Sequence, residues 1–222
     1  MNIQQVLENT AQKYSNKPAI VFKDTIISFK ELEENVLKLA DALRGQGIGK
    51  SDKVSIYLPN CPQYVYSYLA CFTLGAVAVP LDYMLKKDEL ISCLSHCEAK
   101  VLIAQENNEV LLGDVAGGVS SLATIILCGQ RRDPAPSAPE SHTFLSFDEL
   151  LTQSSINFPS VNILDQDPSL IMYTSGTTGA PKGILLNTKH LEGSPRAMEH
   201  FVDLTARDTK LCALPLSHIA GL

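Results

Sequence analysis

From Lys53 onward, short apolar runs alternate with stretches long enough for helices, and this rhythm narrows the possible folds more than any other feature of the chain. Val54–Leu58 reads as a strand and Pro62–Leu74 as a helix. Ala76–Val79 is again a strand, Lys87–Cys97 a helix and Lys100–Ile103 a strand. Glu106–Val115 reads as a helix and Ala123–Leu127 as a strand, and two further buried strands are expected at 167–172 and 184–186. Strands that alternate with helices imply a mostly parallel sheet covered on both faces and joined by right-handed crossovers. The expected fold class is therefore α/β, doubly wound. Ligands of such sheets sit beyond the carboxyl ends of the strands.

The first 50 residues have a different pattern. Ile3, Val6, Leu7, Ala11 and Tyr14 form a helical stripe, and Ala19–Phe22, Lys23–Thr25 and Ile26–Ile27 read as strand, turn and returning strand. Ser28 followed by Glu31 is a capping-box signal for a helix carrying Leu32, Val36, Leu39, Ala40 and Leu43, which Gly45 or Gly47 should end. Gly75 is expected to let helix and strand approach closely, and Pro80 to end its strand. Arg131–Ser141, with three prolines, reads as a surface loop. Asn187 and Thr188 are placed to cap a helix near Lys189, with a kink or late start at Pro195. The sections expected are 1–50, 51–205 with the α/β unit, and 206–222 as the start of a further subdomain.

Charge and composition exclude several functions. A net charge of −6 in 222 residues, without a basic patch, argues against a nucleic-acid partner. No apolar run approaches the roughly 20 residues needed to span a bilayer. The N-terminus lacks a signal peptide's basic start and apolar core. Six cysteines without a disulfide-like framework point to a reducing cytoplasm. Cys93 and Cys97 are spaced to share a helix face, but no second pair completes a structural zinc site, and buried thiols explain them better.

Between the last two strands lies the run Tyr173-Thr174-Ser175-Gly176-Thr177-Thr178-Gly179-Ala180-Pro181-Lys182-Gly183. A loop so rich in small donors suits an anion: glycines let amides converge, hydroxyls add rotatable donors, and Lys182 supplies a point charge. It is not a Walker loop. Read from Gly176, Pro181 stands at the second glycine and Gly183 at the Ser/Thr, and the chain continues as a strand where a helix is required. The hydrolase elbow G-x-S-x-G fails because Tyr173 occupies its first glycine.

This eleven-residue run resembles the signature loop of the adenylate-forming superfamily, which includes acyl-CoA synthetases, 4-coumarate-CoA ligases, luciferases and peptide-synthetase adenylation domains. Ser28–Leu32 and Phe72–Asp82 resemble further family segments, and Leu214–Leu222 resembles its Pro-Leu-x-His motif, with Ser217 where an aromatic residue usually stands. The resemblance implies the N-terminal part of the family's large domain. It assigns Thr174, Ser175, Gly176, Thr177, Thr178, Gly179 and Lys182 to ATP, Thr174 also to Mg²⁺, and Lys182 and His218 to catalysis, with His218 lining the acid pocket. The implied activity is that of an acyl-CoA synthetase, which joins a carboxylic acid to coenzyme A through an acyl-adenylate. No acidic residue in 214–222 would hold an amino group, which favours a plain carboxylic acid. The family's later motifs and C-terminal domain lie past Leu222, so the 222-residue chain is expected to be inactive alone. The alternatives are a non-catalytic nucleotide- or partner-binding module, or a relative with a carrier protein or oxygen as acceptor.

Overall fold

The computed structural model describes residues 3–106, 109–129, 142–174, 182–191, 203 and 205–218. Helix α1 (Ile3–Tyr14) is followed by a hairpin of β1 (Pro18–Phe22) and β2 (Thr25–Ser28) and by α2 (Phe29–Gly45). Ser28 caps α2: its Oγ accepts from Glu31 N at 3.2 Å, and the Glu31 carboxylate accepts from Ser28 N at 2.8 Å. Gly45 lies in the last turn of α2, and Gly47 takes the left-handed conformation that releases the chain (φ 78°).

The alternating region then runs β3 (Lys53–Tyr57), α3 (Pro62–Leu74), β4 (Val77–Pro80), α4 (Lys87–Cys97), β5 (Val101–Gln105), α5 (Glu109–Gly118) and β6 (Thr124–Cys128). After it come β7 (Thr143–Ser146), α6 (Phe147–Gln153), β8 (Pro168–Thr174) and β9 (Lys182–Asn187). The sheet order is β7-β6-β5-β3-β4-β8-β9, every pairing parallel except β8 with β9. The mostly parallel, doubly wound expectation holds, with one antiparallel strand at an edge.

Each face carries its own core, divided by the two-residue alternation of the strands. On one side Val54, Ile56, Ala78, Val101, Ile103, Ile126, Leu170 and Met172 pack against α1, α2, α3 and α6. On the other Val79, Leu102, Ala104, Ile125 and Leu127 pack against α4 and α5, with Ile171 and Tyr173 at the margin. Cys93 and Cys97 belong to this second core, and burial pushes the Cys93 thiol up to about 11.

Two local expectations change. Helix α5 is described from Glu109 to Gly118, while residues 107–108, within the span expected to be helical, lie outside the described residues. Gly75 is the left-handed C-cap of α3 (φ 73°), so its conformation calls for glycine, while an added Cβ would meet Ile163 and Lys50 only at ordinary contact distance. Strand β7 and helix α6 were not anticipated, although Ser146 caps α6 by accepting from Glu149 N at 3.3 Å. Asn187 does act as a cap, its Oδ1 accepting from His190 N at 3.3 Å, and residues 188–191 are helical. Pro195 and the loop at 131–141 lie outside the described residues.

Candidate functional site

Strand β8 brings the donor-rich run to the carboxyl edge of the sheet, and β9 carries the chain away beside it. Thr174 and Lys182 face each other as the last pair of the ladder, and both are exposed. Directly opposed residues of an antiparallel pair share a face. Leu170 and Met172 point into the first core, so by alternation Thr174 and Lys182 project from that same side of the sheet. A hydroxyl and an ammonium therefore stand together at the mouth of the hairpin. Ser175, Gly176, Thr177, Thr178 and Gly179 lie outside the described residues.

The start of β8 is held by charge. Asp167 pairs with Lys50 Nζ at 2.5 Å and also accepts from Leu164 N at 2.6 Å. The hydrogen bond from Lys50, then that from Leu164, holds the Asp167 carboxyl below the usual aspartate range. Lys50 lies just before β3, so the pair ties the amino ends of two strands that flank β4.

The other face of β8 supports the hairpin through Tyr173. Its hydroxyl donates to Cys93 O at 3.0 Å, and His96 Nδ1 lies 2.7 Å from the same oxygen. Burial raises this phenol well above its ordinary range, so it remains a donor.

The segment carrying His218 reaches the same edge by a different route. Asn60, three residues beyond β3, donates from Nδ2 to Leu214 O at 2.9 Å and accepts at Oδ1 from Leu216 N at 2.8 Å. The Tyr68 hydroxyl donates to Leu216 O at 2.9 Å, and Leu216 packs against the first core. Burial raises the Tyr68 phenol far above its normal value, which keeps that donor protonated. His218 N closes a short turn on Pro215 O at 3.1 Å, and the side chain is exposed. Since β3, β4 and β8 lie side by side and parallel, the His218 segment and the Thr174–Lys182 pair occupy one edge and one face of the sheet.

Asn60 and Tyr68 were not singled out from the sequence, and His96 drew notice only as part of the run 93–97 weighed for a metal. Asn60 follows a proline between strand and helix and reads as a turn residue. Tyr68 looks like one more core aromatic, and His96 is 77 residues from its partner.

A model of the AMP-binding enzyme family matches residues 7–222. The chain belongs to that family. Among its relatives in the AMP-binding enzyme family, long chain acyl-CoA synthetase 3 of Arabidopsis thaliana is 33% identical over 201 residues, 86% of this chain and 30% of that protein. Long-chain-fatty-acid--CoA ligase FadD13 of Mycobacterium tuberculosis is 29% identical over 223 residues, 100% of this chain and 42% of that protein. The chain spans about a third of the length of the first relatives it matches. Among solved structures, the inhibitor-bound N-terminal domain of FACL13 from Mycobacterium tuberculosis superposes with a TM-score of 0.82 at 26% identity, over 99% of this chain and 52% of that one. The anthranilate CoA ligase AuaEII, solved with anthranoyl-AMP, gives 0.77 at 26% identity, over 85% and 35%. A long-chain-fatty-acid-CoA ligase of Archaeoglobus fulgidus gives 0.85 at 23% identity, over 100% and 43%, which establishes likeness of fold. No helix among the described residues is long and apolar enough to cross a membrane.

Proposed function

We propose that this chain is the N-terminal part of an ATP-dependent acid–thiol ligase, AMP-forming, that activates a fatty or other plain carboxylic acid in the cytoplasm. The observation that carries the reading is the placement of Thr174 and Lys182 on the same edge and face as the segment bearing His218. One part of this edge offers donors to a polyphosphate, and the other offers a wall for an acid.

In the first half-reaction a carboxylate oxygen attacks the α-phosphorus of ATP, and the bond to pyrophosphate breaks to leave an acyl-adenylate. A thiol, that of coenzyme A, then attacks the acyl carbon and AMP departs with the electron pair. The first step drives one anion against a polyanion, so alignment and charge neutralisation dominate the catalysis. Lys182 and the hydroxyl and amide donors of 174–179 hold the β- and γ-phosphates as they become the leaving group. The Thr174 hydroxyl is a hard oxygen at an exposed strand end and fits a place beside Mg²⁺, which when bound would offset phosphate charge. His218 lines the acid side. We further propose that 206–222 begins the next subdomain, so that the cleft forms between it and the sheet.

The test is ATP–pyrophosphate exchange by the full-length protein across a panel of fatty, aromatic and amino acids. Exchange that depends on a plain carboxylic acid supports the reading. Exchange with amino acids alone, or ATP binding without exchange, overturns it.

A further inference from the structure

We infer that His96 is a positioning residue for the nucleotide, acting through Tyr173 to fix the two strand ends that present Thr174 and Lys182. The inference rests on the ligase reading above and adds a residue on the far face of the sheet.

The proton inventory gives the arrangement its direction. The Tyr173 hydroxyl has one proton, and Cys93 O, which can only accept, takes it at 3.0 Å. His96 Nδ1, 2.7 Å from that hydroxyl oxygen, is then assigned as the donor, with the proton of the neutral ring on Nδ1. The imidazole meets the phenol ring edge-on, with centroids 5.7 Å apart and planes at 73°. Cys93 and His96 both belong to α4, so the helix holds the phenol from two points.

Packing shows that Tyr173 holds both strands. Its partner across the ladder is Gly183, where an added Cβ would lie 3.4 Å from two ring carbons of Tyr173 and 3.0 Å from Ile171 Cγ2. The ring therefore lies over β9 as well as β8 and ends at α4. Thr174 and Lys182 are the next pair along the ladder, immediately beyond this anchor. Loosening the anchor allows hydroxyl and ammonium to drift together, which weakens the grip on phosphate without touching the acid side.

The experiment uses the full-length protein with His96→Ala, His96→Asn and Tyr173→Phe, the last keeping the ring over Gly183. Steady-state exchange, Mg-ATP titration calorimetry and histidine ¹⁵N spectra are read together. His96→Ala and Tyr173→Phe should each raise the ATP KM and Kd by about 3- to 10-fold, the worth of one hydrogen bond, with the acid KM unchanged. The double variant should be no worse than either single one. His96→Asn, whose amide can donate from the same position, should restore ATP affinity, and wild-type His96 should show a protonated Nδ1 when neutral. An ATP affinity indifferent to His96→Ala, an equal loss of acid affinity, or a neutral ring protonated on Nε2 would overturn the inference. A wild type that binds ATP but exchanges no pyrophosphate overturns the ligase reading, while affinity and tautomer still decide the role of His96.

Discussion

Lys182 is exposed opposite Thr174, so its removal should report on the ligand more than on folding. A hydrogen bond to a charged group contributes about 1.5–3 kcal/mol, which puts the expected fall in exchange for Lys182→Ala at roughly 10- to 150-fold. An unaltered melting temperature alongside that fall would place the effect at the site. The cysteines differ in exposure, with Cys61 intermediate. Cys71, Cys93, Cys97 and Cys128 are buried, and burial pushes Cys71 up to about 12 and Cys93 up to about 11, whereas Cys212 is exposed. A thiol reagent at pH 8 should therefore modify Cys212 rapidly and reach the four buried thiols only on unfolding, as mass spectrometry of partially labelled protein would show. At this scale the proposed site could be read where its motif is contiguous, as in the run at 173–183, whose small donors suit an anion. Its supports could not be read, because Asn60, Tyr68 and His96 meet their partners across 154, 148 and 77 positions of chain.

Helix α2 depends on a local device that the sequence displayed openly. Ser28→Ala removes the oxygen that accepts from Glu31 N, a loss of about 1 kcal/mol to be measured by urea denaturation. Ser146 and Glu149 repeat the same pattern before α6, and the signal went unread because its neighbours suggested only a resumption of apolar sequence. The direction of β9 was hidden for a stronger reason. A short apolar run has the same composition in either orientation, and only the distance to its partner strand decides it. The Asp167–Lys50 pair gives the start of β8 a pH signature. Asp167 is depressed in the folded state, so its contribution is complete above the unfolded pKa of about 3.9 and is lost as pH falls through the folded value. The melting-temperature gap between wild type and Asp167→Asn should hold steady from pH 7 to 5 and close below pH 4. Asn60→Ala removes both bonds to Leu214 and Leu216, and the Leu216 amide should then exchange its hydrogen faster while α3 keeps its protection.

Across the molecule, one sheet supports two cores, and the first 50 residues contribute to the larger. Val36, Leu39 and Leu43 of α2 are fully buried in the cluster that contains Ile56 and Tyr64. A variant beginning at Ser51 should therefore lose the cooperative unfolding transition of the intact chain, measured by circular dichroism in urea. A preserved transition would make the division near residue 50 a true boundary. The order of strands could not be read from the chain, since alternation specifies parallel neighbours without saying which. That order nevertheless brings β3 and β8 within one strand of each other, and with them the two halves of the proposed cleft.

The hairpin form of β8 and β9 has an electrical consequence. Many nucleotide-binding proteins aim the positive end of a helix macrodipole at the triphosphate. Here the polypeptide returns from the turn as a strand, whose peptide units alternate in direction and leave little net field. In the proposed site, attraction comes from the Lys182 ammonium and from hydroxyl and amide donors, and at 0.1 M salt exposed charges more than about 10 Å apart are largely screened. Occupancy by a polyanion should consequently follow ionic strength closely, so that the surrounding electrolyte becomes part of how the protein recognises its ligand.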